Sequence, residues 1–292
     1  MRLRCLASTV VITYTATALL SWHCENILFK PYAGLRGQAL AGTASAEARA
    51  TQRLSRTPDF YKAEYGFENF NGDQLHISYQ APRQAYEAYC SSFWYRLEDL
   101  NAAGPSVDAY LASRGFKRLE KNIIEADVPG MVKRSSGPLK ALSKAFDRIA
   151  MDKNYDSESL IGSVTAMVQT AVRYQIPPVV EDGRHTGGIL PPVMSLMRGW
   201  GDCDTKTGLL TSILVNWPNM RMVGIALPGH YLMAVLRIPA RGEAFVEYQG
   251  LKYVLVEPAG PAWLAPGTVG VDTLPELEAA EGFRIEPFFD PS

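Results

Sequence analysis

The sequence GDCDTKTGLLTSIL, residues 201–214, marks the change from a helical to a strand-forming part of the chain. Its hydrophobic residues recur at helical spacing and predict a helix that begins near Cys203, with Asp202 as the N-cap. Further on, the hydrophobic period falls to two, which predicts strands over residues 221–227, 231–238, 245–248 and 251–256. Helices followed by antiparallel strands predict an α+β fold, with helices packed on an antiparallel sheet.

The chain before this stretch is predicted to be mostly helical. Asn71-Gly72 is a strong turn signal and predicts a hairpin over residues 65–79, with His76 as an ordinary strand residue. Helical periodicity predicts helices over residues 83–100, which would bury Cys90, over 106–121, from Pro138 onward and over 157–174. Residues 175–192 form a long loop that contains His185, and loops of this length are commonly functional.

The N-terminus has the pattern of an export signal. Arg2 and Arg4 precede residues 5–22, which carry no charge, so residues 1–22 are expected to be a signal peptide or a membrane anchor. The body would then lie in the periplasm or on the outer face of the cytoplasmic membrane. Residues 23–58 are expected to be a linker, 59–156 a hairpin and helical part, and 157–292 the functional core.

Composition limits the possible partners. The chain has 292 residues, of which 47% are hydrophobic, and its net charge is -1. It can therefore bury a substantial core, and it offers no general electrostatic attraction for nucleic acid.

Cys203 has three possible chemical roles. It could be a nucleophile, a disulfide partner of Cys90, or a metal ligand together with Asp202, Asp204 and His230. The metal site is weakly supported, because the cysteines and histidines lack the usual ligand spacing. A nucleophilic role needs a histidine, because an ordinary cysteine is only about 3% thiolate at neutral pH.

His230 is the histidine best placed to act with Cys203, because it starts a predicted strand in the sheet that follows the Cys203 helix. Glu257 ends an apolar strand and could orient the imidazole ring. A plain meander of three strands would put Glu257 at the opposite end of the sheet from His230, so residues 244–250 would have to form a bulge or a side arm. Asp204 is the alternative carboxylate.

These motifs, GDCDTKTGLLTSIL, GHYLMAV and YVLVEPAG, resemble the Cys, His and acidic motifs of the transglutaminase-like cysteine protease superfamily, particularly its exported bacterial branch. The resemblance covers roughly residues 160–270. It implies a papain-like core at 157–292, with Cys203 as nucleophile, His230 as general base and acid, Glu257 as orienting carboxylate, and Gln169 as an oxyanion donor. Glu257 stands where aspartate is commoner, and calcium sites of some relatives have no clear match.

The resulting hypothesis is a cysteine peptidase or amidase that acts on a protein or peptide substrate without a cofactor or metal. Two alternatives stay open. The first is a protein transglutaminase, which would pass the acyl group to an amine instead of to water. The second is a non-catalytic envelope module that keeps the fold and binds a partner.

Overall fold

The chain folds into a mixed α+β structure with antiparallel sheets. A computed structural model describes residues 50–120, 123–279 and 283–288. The expected signal segment and residues 23–49 of the expected linker lie outside the described residues. Within the described part of the chain, no helix has the length and hydrophobicity needed to cross a membrane.

The first sheet is formed by β1 (Ala50–Arg56), β2 (Phe60–Glu68) and β3 (Gln74–Pro82), in that order. Its β2–β3 turn at Asn71-Gly72 confirms the predicted hairpin, and His76 lies exposed on β3. The linker prediction is wrong for residues 50–56. They form an edge strand that is almost entirely exposed, so they lack the alternating hydrophobicity by which a strand is recognised in a sequence.

The next segment breaks the two predicted helices. Helix α1 (Arg83–Ser91) is followed by the buried residues Phe93, Trp94 and Tyr95, and then by α2 (Leu97–Ala103). Three consecutive aromatic residues could not all face one side of a helix. A 3₁₀ turn, Gly104–Ser106, leads into α3 (Val107–Arg114). That helix ends at Gly115, which has a φ of 86°, and β4 (Phe116–Glu120) and β5 (Ile123–Ala126) follow.

The long helix α4 (Val128–Lys153) begins ten residues before Pro138, so the prediction that Pro138 opens this helix is wrong. Asp127 caps it by accepting from the Gly130 N–H at 3.1 Å. Its predicted apolar face is confirmed, with Leu139, Leu142 and Phe146 buried. Helix α5 (Ser157–Ala166) follows and continues as a π-helical turn, Met167–Ala171.

Short elements then lead to the cysteine helix. They are β6 (Arg173–Tyr174), the hairpin of β7 (Val180–Glu181) and β8 (Arg184–His185), helix α6 (Pro192–Arg198) and β9 (Trp200–Gly201). Strands β6 and β9 pair in parallel. The Gln52 side chain of β1 donates to the carbonyl oxygens of Ala171 and Gly199 at 3.0 and 2.9 Å, so β1 belongs to the folded body.

Helix α7 (Cys203–Leu214) begins where the sequence predicted. Its apolar face is fully buried and consists of Leu209, Leu210, Ile213 and Leu214. Burial of each of these side chains stabilises the folded state by about 1.5–3 kcal/mol. The C-terminal sheet contains β10 (Met222–Leu227), β11 (His230–Leu236), β12 (Phe245–Tyr248), β13 (Leu251–Val256) and β14 (Arg284–Pro287). Helix α8 (Thr273–Glu278) lies between β13 and β14 in the chain.

The strand order of the C-terminal sheet is β12-β13-β11-β10-β14. Strand β13 therefore pairs directly with β11, and β12 lies outside it at the edge. Met233 pairs with Val256, so Glu257 leaves β13 at the end of the sheet where β11 begins. Residues 245–248 thus form the side arm that a contact between His230 and Glu257 requires.

Candidate functional site around Cys203 and His230

The N-terminus of α7 holds Cys203 as its first helical residue. Asp202 is the N-cap, and its carboxylate accepts from the Thr205 N–H at 3.2 Å. The Asp202 carbonyl oxygen accepts from the Lys206 N–H at 2.9 Å. Within the described residues the Cys203 N–H has no acceptor, as expected for the first turn of a helix.

Gly201 is required by close packing at this helix end. A Cβ atom at position 201 would overlap Cβ and Cγ2 of Thr205. Thr205 is fully buried, and its hydroxyl accepts from the Leu190 N–H at 3.0 Å, so its side chain is held in place. The Gly-Asp-Cys sequence therefore has a steric basis as well as a capping one.

The surroundings of the Cys203 thiol favour its protonated form. It is 8% exposed and donates to Oδ1 of Asp204 at 3.1 Å. Burial raises the pKa of Cys203 strongly, and the charges of Asp204 and Asp202 raise it further, whereas the Tyr231 backbone N–H lowers it. Burial also raises the pKa of Asp204, and raises that of Asp202 to about 6.

His230, the first residue of β11, is paired with Glu257. Its Nε2 atom lies 2.9 Å from Oε2 of Glu257. Burial is the largest single influence on the pKa of His230 and lowers it. The hydrogen bond to Glu257 and the nearby carboxylates outweigh burial, so the pKa of His230 is raised overall. Since Nε2 is engaged, Nδ1 is the ring atom available for another partner.

Glu257 is held on several sides. It is 3% exposed, and besides His230 it accepts from the Thr273 hydroxyl at 3.0 Å and from the Ala259 N–H at 3.3 Å. Thr273 is the first residue of α8, and no sequence motif pointed to it. Such anchoring fixes the carboxylate, and with it the orientation of the imidazole ring.

The tertiary structure brings Cys203 close to the start of β11. The Thr207 hydroxyl of α7 donates to the Tyr231 carbonyl oxygen at 3.0 Å, and the Tyr231 N–H acts on the Cys203 sulfur. The charge of His230 acts on Asp204. However, no hydrogen bond joins Cys203 to His230 in the described part of the chain, because the thiol is directed to Asp204.

Gln169 differs from its expected role. Its side-chain amide nitrogen donates to the carbonyl oxygens of Glu257 and Leu264, and its Oε1 accepts from the Leu264 N–H at 3.0 Å. Both amide hydrogens are therefore engaged, and neither is available to a developing oxyanion. Gln169 instead joins the π-helical turn to the segment that follows Glu257.

Lys206 supports the same region from inside the core. It is fully buried, and Nζ donates to the carbonyl oxygens of Gln169 and Val172 at 3.2 and 2.9 Å. Burial lowers the pKa of Lys206 to about 7. A Cβ at Gly260 would crowd the Gln169 carbonyl oxygen and Lys206 Nζ, so this position also needs glycine.

Tyr174 is an exposed residue beside the cysteine motif. It is 43% exposed and lies on β6, where it pairs with Gly201 of the cysteine motif. Desolvation is the main cause that raises the pKa of Tyr174, and the charges of Cys203, Asp202, Asp204 and Glu257 also raise it. The hydroxyl therefore stays protonated at neutral pH and can donate a hydrogen bond.

The structural roles considered for Cys203 are not realised in this structure. Cys90 and Cys203 are both free, and Cys90 is partly buried. No group of three or more His, Cys, Asp or Glu side chains in the described residues could hold a metal ion. His185 forms a β-bridge with Tyr95 and stacks on its ring, with ring centroids 5.2 Å apart.

No protein-family model, curated protein or solved structure matches the chain. The protein has an α+β fold, with a cysteine at a helix N-terminus and a His–Glu pair at one end of an antiparallel sheet.

Proposed function

We propose that the chain is a transglutaminase-like cysteine peptidase or amidase with a papain-like core. Cys203 is the nucleophile, His230 the general base and acid, and Glu257 the orienting carboxylate. The observation that carries the proposal is the 2.9 Å contact between His230 Nε2 and Glu257 Oε2, beside the helix end that holds Cys203. The substrate would be a protein or peptide, and the reaction needs no cofactor.

Activation requires the thiol to turn from Asp204 to Nδ1 of His230, which the Glu257 contact leaves available. His230 then takes the proton from sulfur, and Cys203 Sγ bonds to the amide carbon. As the C–N bond breaks, His230 returns the proton to the departing amine and leaves a thioester. A water molecule, deprotonated by His230, hydrolyses the thioester and regenerates the thiol.

Two donors are available for the oxyanion intermediate. The first is the Cys203 N–H, which has no acceptor within the described residues. The second is the hydroxyl of Tyr174, which pairs with Gly201, feels the charge of Cys203 and stays protonated. We assign these donors in place of Gln169, because donors must point to the developing charge before the reaction begins.

A non-catalytic binding module is the second candidate, and two observations favour it. The thiol donates to Asp204 at 3.1 Å, and burial together with two carboxylates raises the pKa of Cys203. Both features oppose formation of a thiolate.

An acyl-transfer experiment separates these candidates. The chain lacking residues 1–22 is incubated under reducing conditions with an activated peptide ester, and the acyl adduct is located by mass spectrometry. We expect an adduct on Cys203 that is lost in Cys203→Ala and His230→Ala. Cys90→Ser is the matched control and should retain it. If the wild-type protein gives no adduct, or if Cys90 is acylated equally, the catalytic proposal is wrong.

A primary amine added to the same assay distinguishes hydrolysis from transamidation. We expect the released acid to exceed the amine conjugate. A predominance of the conjugate would identify a transglutaminase instead.

We also propose that the chain is exported, on the basis of Arg2 and Arg4 before the uncharged residues 5–22. Fractionation of bacterial cells that express the full chain tests this. Recovery with the cytoplasmic fraction, with intact residues 1–22, would contradict export.

A further inference from the structure

A second concave site lies between the ends of α1 and α3, the start of α2 and the β7–β8 hairpin. It is a cavity of about 240 Å³, lined by Ser91, Trp94, Arg96, Asp99, Arg114 and Arg184. It shares no lining residue with the Cys203 site. Three of its six lining residues are arginines, and Asp99 is its single carboxylate.

Backbone pairing brings two of these arginines together. Tyr95 and His185 form an antiparallel β-bridge, with reciprocal N–H to carbonyl bonds of 3.3 and 2.7 Å. Arg96 follows Tyr95 and Arg184 precedes His185, so the bridge brings both arginines to the cavity that they line. Like charges that line one small cavity repel each other. An anion bound between them would remove the repulsion.

The third arginine is positioned by the backbone on the other side of the cavity. Trp94 has a left-handed φ of 65°, and its N–H donates to the Arg114 carbonyl oxygen at 3.1 Å. The indole N–H donates to the Ile189 carbonyl oxygen at 3.2 Å. Arg114 itself donates to the Ser91 carbonyl oxygen at 3.0 Å. The frame that holds the arginines is therefore formed without a ligand.

The positive charge of this cavity is poorly compensated within the protein. Arg114 and Arg184 make no ion pair within the described residues, and Arg96 has only a 3.4 Å contact with the exposed Glu98. Asp99 is engaged by the Tyr110 hydroxyl at 2.8 Å.

A fourth arginine adds charge beside Arg114. Arg134 stacks on Phe93, with its guanidinium carbon 3.9 Å from the ring centroid, and its Nη1 is buried without a hydrogen-bond partner. Burial lowers the pKa of Arg134, and so does the charge of Arg114. The two guanidinium groups are thus close enough to interact, which increases the attraction for an anion.

We propose that this cavity binds an oxyanion, the phosphate or carboxylate group of a small molecule, through Arg96, Arg114 and Arg184. Guanidinium groups bind both kinds of oxyanion through paired N–H donors. The cavity is smaller than the roughly 300–1,000 Å³ of pockets for drug-sized ligands, so it suits one anionic group with a small substituent. This site is independent of the chemistry proposed for Cys203.

Calorimetric titration of the chain lacking residues 1–22 tests the proposal. The probes are inorganic phosphate, sulfate and acetate, each added at constant ionic strength set with chloride. We expect saturable 1:1 binding of at least one probe. Phosphate or sulfate binding without acetate binding would indicate a phosphate group as the natural ligand, and preferential acetate binding a carboxylate.

Charge-removing variants locate the binding site. Arg184→Gln and Arg114→Gln should each weaken binding by about tenfold or more, because a charge-assisted hydrogen bond is lost. Arg148→Gln on α4 is the matched control, since Arg148 is exposed and outside the cavity. It should bind within about twofold of wild type.

Two results would overturn the proposal. One is the absence of saturable heat with all three probes. The other is an equal loss of affinity in Arg148→Gln and Arg184→Gln, which would show a diffuse effect of net charge. Arg184 lies on a surface hairpin, so its variant remains informative if Arg114→Gln fails to fold.

Discussion

The His230 Nε2 and Glu257 Oε2 atoms lie 2.9 Å apart, although 27 positions separate these residues in the sequence. The contact exists because β13 pairs with β11 while β12 lies outside β13. Thr273 and the Ala259 N–H hold the carboxylate from other directions. The predictions below test this pair and the helix end beside it.

Glu257→Gln should slow acylation of Cys203 by about 10²–10⁴-fold without abolishing it, because the amide keeps the size of the side chain but loses its charge. Glu257 raises the pKa of His230, so the pKa of His230 should be lower in the variant. His230 would then stay neutral down to a lower pH. The acidic limb of the rate–pH profile should therefore move to lower pH. Glu276→Gln is the control, since Glu276 acts on His230 only through its charge. An equal effect in both variants would contradict the orienting role.

Asp204→Asn should make Cys203 more reactive. The Asp204 carboxylate raises the pKa of the Cys203 thiol by its charge and by its hydrogen bond, and asparagine removes the charge. We expect alkylation of Cys203 by iodoacetamide at pH 8 to be about three to ten times faster. Cys90 in the same sample is an internal control, and its rate should not change. Slower alkylation of Cys203 would argue against this electrostatic effect.

Tyr174→Phe should lower the acylation rate constant by about tenfold or more with little change in KM, because an oxyanion donor acts only in the transition state. Phenylalanine keeps the aromatic ring and removes only the hydroxyl. Single-turnover kinetics over a range of ester concentrations separate the two constants. A change confined to KM would instead mean that Tyr174 only contacts the substrate.

Lys206→Met should change how stability depends on pH. Burial lowers the pKa of Lys206 to about 7 from its ordinary 10.5, so between these values the unfolded chain holds a proton that the folded chain has released. Stability from this group therefore rises with pH by up to about 1.4 kcal/mol per pH unit. The methionine variant lacks this rise and leaves two buried carbonyl groups without a donor.

The corresponding measurement is urea unfolding at pH 6.5, 7.5 and 8.5. The difference in unfolding free energy between wild type and Lys206→Met should grow with pH. Lys140→Met on the exposed face of α4 serves as the control, and its difference should stay constant. A constant difference for Lys206→Met would mean that Lys206 stays charged in the folded chain.

Gly201→Ala should destabilise the fold by about 1–3 kcal/mol, because the added methyl group overlaps the buried Thr205 side chain. The same substitution at Gly208 in α7 would meet side-chain atoms of Pro192 and Val128 only at 3.6 and 3.7 Å, which is ordinary van der Waals contact, and should stabilise the helix by about 0.5–1 kcal/mol. Thermal unfolding of the two variants should thus give shifts of opposite sign. A lower melting temperature in Gly208→Ala, or an unchanged one in Gly201→Ala, would contradict the steric argument.

Local signals predicted much of the fold. The Asn71-Gly72 turn, the helix from Cys203 and the strands from 222 to 256 follow from turn chemistry and hydrophobic period, and all are present. The errors occurred where local signals were weak or conflicting. Strand β1 has almost no buried face, and the aromatic residues 93–95 continue a helical pattern that their burial interrupts.

The sequence by itself determined the α+β class, the capped helix with Cys203 at its start, and the identity of His230 and Glu257 as candidates. Tertiary structure alone decided that Glu257 meets His230, that Gln169 bridges two carbonyl groups, and that Arg96 and Arg184 line one cavity. The physical reason is that capping and periodicity depend on residues a few positions apart. Strand order, by contrast, depends on how distant segments share one core.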